Sequence, residues 1–516
     1  MFKNHPKGLI SAALANMGER FGFYTMMGIL TLFIMAKFGL NEVQTGIIYS
    51  IFYALIYLLA FVGGIIADKT KNFKGTILTG LVLMAFGYLM IAIPTPTPVP
   101  NLALYLAMTC VGLFVIAFGN GLFKGNLQAL VGRLYDADPK YGKMRDSGFQ
   151  IFYMFINIGG LFAPFIAIGI RGWWLGKFGL QYNSDLPALC HGHLGGTLTP
   201  EASVRFSQLA ADVSSTGAPA DMTAFANNYL DVFNTGFHYA FAAAIFAMMI
   251  SLVIFIFNKN KLPGSTKKPD KNLQTTDTPS NEVQMNPKEV KQRIYALLSV
   301  FAVVIFFWFS FHQNGLTLTS FAKDYTDLSG IVIDLGFTKI IGAEIFQSVN
   351  PFFVVFLTPI IIFFFGWLRA KGIEPSTPRK IAIGMGIAAC AYILMAVCSM
   401  GLPSTLEREA MGGLPDAMRV TPFLLIGTYF ILTVAELFIS PLGISFVSKV
   451  APPHLQGMMQ GLWLCATAIG NQLLFIGAIF YRSIPIWATW CIFVVACCIS
   501  MFTMLAMVKW LERITK

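Results

Sequence analysis

Twelve stretches of this chain are apolar for long enough to cross a bilayer, and that pattern leaves few folds open. They run near residues 9–36, 46–67, 76–94, 102–131, 148–170, 236–257, 292–320, 350–369, 379–400, 422–449, 457–480 and 485–510. A span needs about 20 apolar residues. Inside lipid, an unbroken helix is the simplest way for a single segment to satisfy its own backbone. The first stretch is too long for the apolar core of a cleaved leader and carries Glu19 and Arg20, so it reads as a retained span. Of the 516 residues, 56% are hydrophobic and 12% charged, against about 25% charged in soluble domains. The expected fold class is an all-α membrane protein with twelve transmembrane helices.

The net charge of +11 raises nucleic acid as a partner, but the placement of the charges points elsewhere. With the N-terminus inside, 25 of the 36 Lys and Arg lie on the inner side, in groups such as Lys69, Lys71 and Lys74, or Arg369, Lys371, Arg379 and Lys380. Nine lie outside, and Arg20 and Lys124 lie within spans. This positive-inside pattern implies cytoplasmic termini, the bilayer as partner and no nucleic acid. Seven of the eight cysteines fall in apolar runs and Cys190 alone lies outside, with no CxxC and no metal spacing. Neither a disulfide framework nor a structural metal is expected.

Two polar interruptions organise the chain. Residues 259–291 are rich in Lys, Pro, Ser, Thr and Asn and read as a cytoplasmic linker. Residues 171–235 read as a partly ordered outer loop with one short helix near 201–211. His191 and His193 form an HxH there, read as solvated surface ahead of a metal site. The expected domains are an N-terminal six-helix bundle over 1–258, the linker 259–291 and a C-terminal six-helix bundle over 292–516. No convincing sequence repeat relates the halves.

Ionisable groups inside the spans demand a reason, since each costs roughly 2.5–3.5 kcal/mol or more at mid-membrane. Glu19 and Arg20 lie midway along the first span, with Asn16 one turn before both. As neighbours they diverge by about 100° around the helix, so they are expected to serve different partners. Lys124 lies in the fourth span within GNGLFKGN, where glycines give it room. Glu436 is an isolated carboxylate in the tenth span, close to a proline that is expected to break the helix. Two of these have plainer readings, a structural ion pair for Glu19 and Arg20 and snorkelling for Lys124; Glu436 is the hard one to dismiss.

Taken together the motifs are more specific. ERFxxY at 19–24, GGxxAD at 63–68, Lys124, FYxxINxG at 152–159, WxxxxQxG at 308–315, QSVNP at 347–351 and ExxxSP at 436–441 stand in order, each on its span. The chain thus resembles the proton-coupled oligopeptide transporter family of the major facilitator superfamily, nearly end to end. The resemblance implies two six-helix bundles with the site between the halves, and import of di- and tripeptides driven by protons. Arg20 and Lys124 match cations that meet the peptide carboxylate. Glu436 matches the carboxylate that meets the amino group, with Asn350 beside it. Tyr24, Tyr57, Asn157 and Ser440 match polar contacts to the peptide, and Trp308 and Trp463 match pocket walls.

The departures are Asn16, where the family pattern ExxERFxYY has its first Glu, and Phe23, where it has the first Tyr. His312 stands where a carboxylate is common in the seventh span, and Ser50 where animal members have a His. An amide cannot titrate, so proton coupling falls to Glu19, His312 and Glu436. Other readings are a carrier of another small zwitterion or anion, and a peptide receptor without net transport. The chain has no HExxH and no phosphate loop; no enzyme activity and no cofactor are expected.

Overall fold

The structure, a computed structural model, describes residues 5–136, 141, 145–263, 286–452 and 456–515. Twelve helices long and apolar enough to span a membrane lie where the apolar runs place them: Gly8–Phe38, Glu42–Ala67, Phe73–Ala92, Leu102–Tyr135, Ile151–Lys177, Met222–Lys261, Pro287–Tyr325, Ala343–Ala370, Thr377–Cys398, Pro422–Ser440, Gly461–Ser483 and Ile486–Ile514. They are numbered one to twelve below. The chain is a multi-pass membrane protein. Polar residues at the joints start the helices: Asn41 and Gln44 form a reciprocal capping box at span two, and Asp221 accepts from two backbone N–H groups at span six. Both devices satisfy donors that a helix leaves orphaned.

The halves repeat each other in packing although not in sequence. Span one packs on five and six, span four on two and three, and span three on six. In the second half, seven packs on eleven and twelve, ten on eight and nine, and nine on twelve. Adding six to each number maps the first set onto the second. The bundles meet where span two packs on eleven and span five on eight, which that same shift also relates.

Small residues carry the closest approaches. A Cβ on Gly63 would stand 2.1 Å from the Gly121 carbonyl oxygen, and one on Gly121 would stand 2.5 Å from that of Leu59. Spans two and four therefore touch backbone to backbone, as small residues permit in lipid.

Four expectations change. The region 171–235 is ordered: span five continues to Lys177, helices cover Leu186–Leu194 and Pro200–Val213, and span six's helix begins at Met222. The helix carrying Glu436 runs on to Val450 without breaking at the proline after Ser440. Span seven is interrupted by a 3₁₀ turn at His312–Gly315. The seventh helix starts at Pro287, inside the expected linker; residues 264–285 of that linker lie outside the described residues.

Candidate functional site

The glycines of span four prepare the first half of the site. Gly119 packs on Gly80 of span three and Gly121 on Leu59 of span two. Held that close, Lys124 sets its ammonium 4.5 Å from the centre of the Tyr57 ring. Lys124, Tyr57 and Tyr24 are all half-buried. Among the described residues no carboxylate lies within ion-pair reach of Lys124, so its cation is held only by a ring face and by whatever enters beside it.

Glu19 and Arg20 do not serve different partners: they pair with each other. Arg20 Nε donates to Glu19 Oε2 at 2.5 Å and Nη2 to Oε1 at 2.6 Å. The 100° divergence holds at Cβ, but both side chains are long enough to fold back across one residue step. Asn120 of span four donates to Oε1 at 2.7 Å. Glu19 is fully buried and Arg20 is 4% exposed, with the guanidinium 4.6 Å above the Phe23 ring. Asn16 is buried as well, and its amide nitrogen has no partner among the described residues. Asn157 donates to the Tyr153 carbonyl of its own helix, and buried Ser50 donates to Ile47.

The second half contributes Glu436 and Asn350, both half-buried. Asn350 Nδ2 donates to Glu436 Oε2 and to Thr433 Oγ1, each at 2.9 Å. Among the described residues no cation pairs with Glu436. Tyr24, Tyr57 and Tyr153 of the first half all lie within its electrostatic reach. Ser440, one turn along, is half-buried.

His312 occupies the seam between the halves. Its ring stacks on Trp308 at 4.7 Å and tilts against Tyr53 of span two at 4.8 Å. Asn471 Oδ1 lies 2.5 Å from Nδ1; with an oxygen facing it, Nδ1 carries a hydrogen and donates. Lys124 is within electrostatic reach. Trp308 and Trp463 are buried, Trp463 edge-on to Phe301. The HxH divides: His191 donates from Nε2 to the Ala36 carbonyl and His193 reaches Thr223. Among the described residues no group of three metal-ligating side chains gathers.

Sequence reasoning missed Asn120, Asn471, Tyr53, Tyr153 and Thr433. The first two carried a signal, as amides within apolar runs. Nothing in a single sequence names the partners they turn to.

The family model PTR2, described as POT family, matches residues 74–279 and 270–485. Peptide transporter YePEPT of Yersinia enterocolitica is 28% identical over 493 residues, covering 91% of this chain and 87% of that protein. Dipeptide and tripeptide permease B of Xenorhabdus bovienii is 28% identical over 490 residues, with 91% and 86% covered. The crystal structure of peptide transporter POT in complex with sulfate matches with a TM-score of 0.72 at 23% identity, over 100% of this chain and 96% of that one. That of a POT family transporter in complex with 5-aminolevulinic acid gives 0.70 at 22%, over 100% and 98%. The fold is therefore that of the major facilitator transporters, two six-helix bundles facing each other, and the chain belongs to the POT family.

Proposed function

We propose that this protein imports di- and tripeptides by proton symport, along a proton route altered from the family pattern. One observation carries the reading: a half-buried lysine in one bundle and a half-buried carboxylate in the other each lack a protein counter-charge among the described residues. A cation in one bundle and an anion in the other, each with no protein counter-charge among the described residues, suit a small zwitterion held between the halves better than a simple anion. Lys124 takes the peptide carboxylate, while Glu436 with Asn350 takes the ammonium. Tyr24, Tyr57, Asn157 and Ser440 supply polar contacts, and Trp308 and Trp463 back the side-chain pockets. The relatives named peptide transporter and dipeptide and tripeptide permease support the substrate class. The moving bodies are the two six-helix bundles, the second beginning at Pro287, with both termini cytoplasmic in the inner membrane.

The proton step follows from the Glu19–Arg20 pair. While Glu19 is ionised, both of its oxygens hold Arg20, and the guanidinium is unavailable to substrate. Protonating Glu19 releases Arg20 toward the peptide carboxylate beside Lys124, and losing that proton draws it back. His312 tunes the exchange from the seam. The basic test is uptake of labelled dialanine into liposomes, with and without an imposed pH gradient; uptake indifferent to the gradient removes the symport claim. Glu19→Gln is expected to lose gradient-driven uptake while keeping counterflow, which needs no net proton movement. His312→Ala is expected to shift the pH dependence of driven uptake while exchange persists. A Glu19→Gln protein that still responds fully to the gradient would place the coupling elsewhere.

A further inference from the structure

Every ion pair between the bundles, among the described residues, lies on the face away from the termini. Arg171 of span five pairs with Glu344 at the start of span eight. Asp185 pairs with Arg419 at 3.0 Å and approaches Arg408 at 3.8 Å. Glu42 meets Arg482 at 2.9 Å. The segment between spans five and six adds hydrogen bonds to backbone carbonyls of the same partner: Thr199 Oγ1 donates to that of Ala410 at 2.6 Å, and Arg205 donates to that of Leu414 at 3.3 Å.

Both surfaces are built for this contact. On the second half, Gly412 and Gly413 have φ of +73° and +123°, a turn suited to glycine. A Cβ on Gly412 would stand 2.8 Å from Ala202, and one on Gly413 would stand 2.5 Å from the Asp185 carboxylate. Burial disfavours the Arg408 cation, but the carboxylates of Asp324 and Asp185 outweigh it and raise its pKa above the ordinary arginine value. On the first half the segment is tied down as a rigid arm. Leu180 bridges Ser214, Tyr229 donates to Gln181, His191 donates to Ala36 and Cys190 is buried. The Tyr182 ring covers the Arg171 guanidinium at 4.2 Å. An arm fixed this firmly to one bundle cannot stretch. When the bundles part on this face, its bonds to the other bundle must break.

We propose that the segment between spans five and six is a clasp that holds the outer mouth shut, with Asp185 between Arg408 and Arg419 as its catch. The proposal rests on the transporter reading above, in which the two bundles are the moving bodies. The catch borders a cavity of about 470 Å³ lined also by Glu42, Lys323 and Glu409. Water there can rehydrate the charges as they separate, which keeps the clasp releasable where a dry ion pair would resist parting.

Two measurements test it. Leu32 lines the cavity and is 6% exposed, so a Leu32→Cys protein reports opening by its rate of labelling with a membrane-impermeant thiol reagent from outside. Asp185→Asn is expected to speed that labelling roughly tenfold, the population shift expected from losing one charged catch. Arg419→Gln should act in the same direction if Asp185→Asn folds poorly. Unchanged labelling in both overturns the clasp. Second, Thr199→Cys with Ala410→Cys should form a disulfide that stops dialanine uptake until a reductant is added. An oxidised protein that transports at the reduced rate also overturns it. If the reduced and parent proteins take up no dialanine at all, the peptide reading fails instead, and the labelling comparison still decides the clasp.

Discussion

Replacing Lys124 with alanine is expected to cut uptake of dialanine at low concentration by between tenfold and a hundredfold, with little change in melting temperature. The magnitude is that of one charged hydrogen bond, about 1.5–3 kcal/mol, at about 1.4 kcal/mol per tenfold. Fold stability should be spared because Lys124 rests on the Tyr57 ring and no carboxylate among the described residues is left stranded by its removal. Arg20→Ala should also lose uptake, for a different mixture of reasons. It strands the fully buried Glu19 carboxylate, and breaking a buried pair from one side costs about 3–5 kcal/mol. The two substitutions are separable by comparing uptake with thermal unfolding in the same detergent. Lys124→Arg keeps the charge but cannot offer the same compact ammonium, so partial activity there would mark charge as the main term. Normal uptake by Lys124→Ala would remove the carboxylate assignment.

The membrane architecture was open to inspection in the sequence because its cause is local. A run such as 236–257 must be helical in lipid whatever its neighbours do. The extension of that helix back to Met222 was hidden, because Asn227, Asn228, Asp231 and Asn234 interrupt the apolar run before the membrane. The same holds for Leu186–Leu194, nine residues with weak periodicity. They hold a helix because Cys190 is buried and His191 reaches Ala36 of span one. The repeat of the two bundles was also hidden, since many apolar sequences can make the same pair of helix contacts.

The candidate site was legible as residue types and spans. The pairing of Glu19 with Arg20 was not, because helix angles locate Cβ atoms while long side chains choose among neighbours. That choice was settled by Asn120, which reaches Glu19 from another span. The proposed mechanism turns on this: of the two cations that the resemblance matches to the peptide carboxylate, Lys124 has no carboxylate partner among the described residues, and Arg20 is held by Glu19, the group proposed to carry the proton. Asn16 cannot titrate, so on the proposed route Glu19, the one carboxylate of that helix, is the group whose protonation releases Arg20.

Glu436→Gln is expected to lower uptake of dialanine by a similar tenfold to hundredfold, and to leave uptake of N-acetyl-dialanine much less affected. Asn350 donates to Glu436 Oε2 at 2.9 Å, and a glutamine oxygen can accept the same bond, so the side chain should stay in place while its charge is lost. The difference between the two substrates then isolates the contact to the ammonium. Glu436 is half-buried, and away from bulk water the attraction between that ammonium and a carboxylate is larger than in open water. Asn350→Ala should show a smaller version of the same pattern, because it unfixes the carboxylate without removing it. Alanine at Thr433, which also accepts from Asn350, should act in the same direction and more weakly still. Should both substrates suffer equally from Glu436→Gln, the carboxylate acts in the transport cycle itself, and the amino group is recognised by some other residue of the cavity.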